Sequence, residues 1–206
     1  MVTPAPVLLT VMAHPDDAEL WAGGTIARHV SDGGTAVIAV PHHDAVRNAE
    51  ATAGARLLGA DLYLMEQLSV STAATVLLEV RPDVLITHPT SDIHPEHRQC
   101  AEAVLRALPD VVISTGHPQR AYHSDGYNNL DQNGRPLDLP TIIDVSAHWP
   151  TKIAALRAHT SQPILDHFGP MAEAIGALHG RRINATHAEA FRPMPILGRL
   201  PDAAHL

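Results

Sequence analysis

One cysteine in 206 residues, Cys100, rules out an intramolecular disulfide and gives no sign of an oxidising compartment. Aromatic residues make up only 3% of the chain, against 45% apolar residues overall. The core must therefore be built from Ala, Val, Leu and Ile, and nucleic-acid binding by aromatic stacking is poorly supported. No block of Lys or Arg is present, and the formal charge is -8 with His neutral. A polyanionic partner does not fit that balance. The first apolar run carries no basic residue before it and meets His and Asp at once, so it reads as neither a signal peptide nor a membrane span. The expectation is one cytoplasmic domain over residues 1–206, with no membrane and no nucleic acid among its partners.

What the chain does have is histidine, 15 in all, and an alternation of apolar runs with helical stretches. The runs 7–13, 35–40, 61–65, 84–87, 111–114 and 141–145 predict strands. Helices are predicted over 18–31, 46–58, 71–80, 95–108, 150–159 and 163–178, with Asp16 or Asp17 at the first N-cap and Gly59 ending the second. Strands that are apolar throughout, separated by helices, mean a three-layer α/β/α, Rossmann-like fold with a mostly parallel sheet covered on both faces. The stretch 115–140, rich in Gly, Pro, Asn and Asp, reads as a long functional loop with room for a hairpin.

Two clusters carry the chemistry. His14-Pro15-Asp16-Asp17 follows the first strand, and His94-Pro95-Glu96-His97 follows the fourth. In an open α/β sheet the ligand site lies beyond the carboxyl ends of the strands, so both loops can reach one edge. His14 and Asp17, and likewise His94 and His97, are three residues apart at a helix start, a spacing that aims both side chains at one point. A catalytic zinc takes three His or carboxylate ligands and keeps a position for water. His14, Asp17, His94 and His97 are the candidates, with Asp16 placed to take a proton from that water. A lone aspartate here would read as a helix cap. His42, His43, His117, His123, His148 and His179 read as solvated or hydrogen-bonded histidines. A nucleotide-binding module is disfavoured, because the turn after the first strand lacks the glycines that cradle phosphate, and Gly23-Gly24 lies inside a helix.

Ala13-His14-Pro15-Asp16-Asp17-Ala18-Glu19 resembles the signature of the LmbE-like (PIG-L) N-acetylglucosaminyl deacetylases. Gly23-Gly24-Thr25, the Arg47-Asn48-Ala49-Glu50 helix with Leu58-Gly59, His94-Pro95-Glu96-His97-Arg98, Lys152 with His159-Thr160-Ser161-Gln162, and Glu189-Ala190-Phe191-Arg192 extend the resemblance along the chain. It implies a metal-dependent, zinc-preferring hydrolase that removes an N-acyl group from a small-molecule amino sugar or its glycoside. It implies His14, Asp17 and His97 as metal ligands, Asp16 as general base, His94 as the histidine that stabilises the oxyanion, and Arg47 as a substrate contact. Asp92 is expected to orient His94 and keep it charged. Relatives of this kind often form homo-oligomers, although no heptad or apolar stripe in this sequence assigns one.

Three departures from the pattern stand out. Glu96 replaces an aspartate, the connection Pro41-His42-His43-Asp44-Ala45 is short, and residues 115–140 match nothing fixed. The short connection keeps open an alternative substrate, the amide of a thiol-sugar conjugate or of a secondary-metabolite intermediate.

Overall fold

Strand β1 (Val7–Val11) is buried on both sides. Leu8 packs with Met12 and Ile26 on one face of the sheet, while Leu9 and Val11 pack with Val104 and Leu108 on the other. This period-two division between two cores is what a central strand with helices above and below requires. The computed structural model describes residues 5–201, so 1–4 and 202–206 of the expected domain lie outside the described residues.

The remaining strands are β2 (Thr35–Pro41), β3 (Asp61–Met65), β4 (Val84–Thr87), β5 (Arg120–His123), β6 (Thr141–Asp144) and β7 (Ala188–Met194). The helices are α1 (Asp17–Ser31), α2 (Ala45–Leu58), α3 (Val70–Val80), α4 (Pro95–Thr115), α5 (Trp149–Arg157) and α6 (Gly169–Arg182). The sheet order is β3-β2-β1-β4-β5-β7-β6. The first five of these strands are parallel to one another, and β7 runs antiparallel to both β5 and β6. The α/β/α expectation is met.

The order places the site. The chain leaves β1 to make α1 on one face and leaves β4 to make α4 on the other. β1 and β4 are neighbours, so a crevice opens between their carboxyl ends, the switch point at which open α/β sheets bind ligands.

The structure corrects two expectations and adds one strand. Residues 111–114 are not a strand: α4 runs through Pro109 to Thr115, because Val104, Leu108, Val111 and Val112 fall on one helical face against the sheet. Burial of that face overrides the β-propensity of the Val-Val-Ile run and the hydrogen bond that Pro109 removes. The fifth strand is Arg120–His123, inside the stretch expected to be a loop. β7 was masked by Glu189, Arg192 and Pro193, which break any apolar or alternating pattern.

α1 is anchored from within. Lys152 Nζ donates to the Leu20 carbonyl and to Glu189 Oε1, both at 2.6 Å, and Glu189 accepts from the Gly24 and Thr25 amides. A Cβ on Gly24 would come within 2.7 Å of Val145, so glycine here lets the sheet edge approach the helix. That explains Gly24 in a helix interior, where glycine costs about 1 kcal/mol relative to alanine.

Candidate metal centre and active site

The loop after β1 makes a strained turn. Asp16 has φ 107°, a left-handed value that non-glycine residues adopt rarely, and its side chain makes no helix-capping bond. Asp17 opens α1 and turns its carboxylate inward. Its Oδ2 accepts from the His14 amide at 2.8 Å and lies 3.2 Å from His14 Nδ1, while its Oδ1 lies 3.3 Å from His97 Nε2. The loop after β4 brings His97 on the first turn of α4 and His94 as that helix's N-cap. Glu96, in the same turn, accepts a short hydrogen bond from His14 Nε2. Both helices point their N-termini at the crevice, which favours negative charge there.

His14, Asp17 and His97 each offer an atom within 4.8 Å of the others. Each imidazole has a carboxylate on the ring nitrogen facing away from this point: Glu96 behind His14 Nε2, and Asp92 Oδ2 at 3.1 Å from His97 Nδ1. Such partners fix the tautomer and ring orientation of a metal-bound histidine. His97 Nε2 is buried and, despite its 3.3 Å approach to Asp17, has no aligned hydrogen-bond partner. A buried ring nitrogen left open in this way fits a divalent cation, and a donor set of two imidazoles and a carboxylate suits one that keeps a position free for water.

The charges are tightly linked. Burial would raise the Asp17 carboxyl, but His97 and His88 outweigh it and hold it well below its usual range. Burial would lower His97, but Asp17 and Asp92 outweigh it and lift it to about 10. A cation at this position takes the place of that proton. Asp16 is pushed the other way, up to about 7, by burial and by the neighbouring Asp17 carboxylate, with Arg47 and His159 opposing.

Arg47 Nη2 donates to the Pro15 carbonyl at 2.7 Å and lies 3.5 Å from Asp16 Oδ1, leaving its buried Nε without a partner. Asp92 does not serve His94 as expected. Its Oδ1 accepts from the His94 amide at 2.7 Å, but its other oxygen belongs to the His97 ring. Nor is His94 held as a cation: burial and the neighbouring His97 and His14 lower it, and its Nδ1 accepts from the Glu96 amide at 3.3 Å. That bond leaves Nε2 as the protonated nitrogen of a neutral ring.

Several residues were not singled out as site residues in the sequence. His88, directly after β4, is fully buried, with Nε2 3.2 Å from Asp17 Oδ2 and 3.1 Å from the Ala13 amide. Its place at the carboxyl end of a central strand was the available signal. His159 and Glu19 form a buried pair at 3.3 Å under the site. A Cβ on Gly54 would come within 2.3 Å of Glu19 Oε1, so α2 approaches this pair only through a glycine. Glu50, one turn after Arg47, accepts from Thr160 Oγ1, Ser161 N and Ser161 Oγ, and so ties the Ser-Gln turn to α2. Tyr127 stacks beside His97 with ring centroids 5.6 Å apart. Burial and the carboxylates of Asp17, Asp16 and Asp92 raise its phenol.

Residues 9–108, which contain both loops and Arg47, match the family model described as PIG-L: GlcNAc-PI de-N-acetylase. A 1D-myo-inositol 2-acetamido-2-deoxy-alpha-D-glucopyranoside deacetylase of Saccharopolyspora erythraea is 26% identical, over 78% of this chain and 79% of its own. The N,N'-diacetylchitobiose deacetylase of Pyrococcus horikoshii superposes with a TM-score of 0.76 at 21% identity, over 94% of this chain and 85% of its own. GalB, a 4-carboxy-2-hydroxymuconate hydratase of Pseudomonas putida KT2440, superposes with a TM-score of 0.78 at 18% identity, over 98% and 99%.

Proposed function

With residues 9–108 identified as PIG-L (LmbE-like) family sequence, we propose that this protein is a metal-dependent hydrolase that removes an N-acetyl or other N-acyl group from an amino sugar or its glycoside. The observation that carries this reading is the convergence of His14, Asp17 and His97 from two loops, with Asp16 and Arg47 beside them. We take the whole chain, 1–206, as one catalytic domain in the cytoplasm. Among the described residues no helix is long and apolar enough to cross a membrane, and Cys100 is buried and free.

His14, Asp17 and His97 would hold the cation, in our reading zinc. It supplies Lewis-acid polarisation and a water of lowered pKa. Asp16 takes the proton of the attacking water. A carboxyl raised towards about 7 by burial and by Asp17 is matched to a base working near neutrality. His94 Nε2–H donates to the carbonyl oxygen as it gains negative charge, acting as a neutral donor rather than a cation. Arg47, with its Nε open, contacts the substrate from the α2 side while its Nη2 holds the Pro15-Asp16 turn. Water adds to the acyl carbon, the C–N bond breaks, and Asp16 returns its proton to the departing amine nitrogen, giving a free amine and a carboxylic acid that then ionises.

The fold alone does not choose this reaction, since the same architecture carries a hydratase in Pseudomonas putida. The deciding experiment is metal analysis of purified protein beside an amine-release screen. Its arms are N-acetyl amino sugars, longer N-acyl amino sugars and amides of thiol-sugar conjugates, with Asp16→Ala as control. Amine release from an N-acyl amino sugar that vanishes in the control supports the reading. Release from none of the amides by zinc-loaded protein ends it.

A further inference from the structure

The loop after β5 is built to hold one side chain. Asp125 Oδ1 accepts from the Gly126 amide at 2.8 Å and from Asn129 Nδ2 at 3.0 Å, and its Oδ2 pairs with buried His179 Nε2 of α6 at 2.7 Å. Asn128 and Asn129 both adopt left-handed φ values, 54° and 58°, which asparagine tolerates better than other side-chain-bearing residues. The Gln132 amide donates to the Ser91 carbonyl at 2.8 Å, pinning the loop to the one that carries Asp92 and His94. What this frame presents is Tyr127.

The Tyr127 ring lies nearly parallel to the His97 ring, at 19°, and is wedged edge-on by Trp21 at 5.3 Å and tilted against Phe168 at 5.9 Å. Three aromatic neighbours lock its orientation, yet no described residue hydrogen-bonds its hydroxyl. Tyr63, by contrast, donates to Glu79. A phenol held in place by its ring and without a protein partner is free to donate to a ligand. The groups around the site are mostly acceptors: Asp16, Asp17, Asp92 and Glu96. Arg47 Nη2 is engaged with Pro15 and Asp16, and its buried Nε is left open. A carbonyl oxygen gaining negative charge needs donors, and beside Arg47 Nε the His94 Nε2–H and the Tyr127 hydroxyl are left open.

We infer that Tyr127 is a substrate-contacting residue: its ring walls the acyl pocket beside His97, and its hydroxyl donates a hydrogen bond to the acyl oxygen of the bound amide. This rests on the hydrolase reading above and gives part of the 115–140 segment a definite task.

The test compares wild type and Tyr127→Phe, both zinc-loaded, in two measurements. The first is calorimetric titration with acetate, the product fragment, which requires no knowledge of the sugar. Losing one hydrogen bond to an anion weakens acetate on the order of 10-fold. The second is turnover on whichever N-acyl substrate the screen yields. There the loss is on the order of 10²–10³, mostly in kcat, as for removal of an oxyanion donor. Metal content stays at the wild-type level, because Phe keeps the stack on His97. Equal acetate affinity in the two proteins overturns the assignment, and so does absence of acetate binding by wild type. If no amide is turned over but acetate still discriminates the two proteins, the hydrolase reading fails and the Tyr127 contact stands.

Discussion

Asp92 Oδ2 lies 3.1 Å from His97 Nδ1, while the other oxygen of the same carboxylate accepts from the His94 amide. One buried side chain thus sets the ring angle of His97, a ligand in the proposed metal site, and the backbone path at His94. Asp92→Ala is expected to weaken zinc binding about 10- to 100-fold, the usual cost of losing the partner behind a ligating histidine. Competition against a chromophoric chelator measures this. Unaltered zinc affinity would show that the His97 ring is held by other contacts.

Asp16→Asn removes the proton acceptor but keeps the shape of the turn. Turnover is expected to fall on the order of 10²–10⁴, the usual contribution of a positioned general base, with zinc still bound. His94→Ala is expected to lose on the order of 10²–10³ and likewise keep its metal. Wild-type turnover in either variant removes the role given to that residue.

Glu50 sets an acid limit. Burial would raise its carboxyl, but the hydrogen bonds from Ser161 and Thr160 outweigh this and lower it below its ordinary 4.5. A folded-state value below the unfolded one means the stabilisation is present above about pH 4.5 and is lost as pH falls through the folded value. In Glu50→Gln the thermal midpoint is therefore expected to fall less steeply on acidification below that point than in wild type. Parallel melting curves across that range would show that Glu50 contributes nothing to acid sensitivity.

Lys152 and Glu189 form an ion pair at 2.6 Å in the protein interior. Lys152→Met leaves the Glu189 charge buried without its cation, which costs about 3–5 kcal/mol. Urea unfolding of the variant checks the figure, and a change under about 1 kcal/mol, the range of a surface pair, would place the pair in water rather than the core.

The sequence alone was enough for the architecture and for the two loops whose His and Asp side chains meet at the crevice, for one reason. Local patterns record local geometry. Apolar runs between helical stretches specify a sheet covered on both faces, and His-Pro-Asp-Asp and His-Pro-Glu-His at strand ends place imidazoles and carboxylates at helix starts. Tertiary packing decided the rest. It kept residues 111–114 helical because Val111 and Val112 are buried on the same face as Val104. It made a strand of Ala188–Met194, whose Glu189 faces a helix 165 residues earlier in the chain. It assigned Asp92 to His97 rather than to His94, and it brought His88, His159 and Tyr127 to the crevice. Those placements depend on contacts between distant segments, and the energy that fixes them is burial and pairing shared across the fold, which a single stretch of chain does not carry.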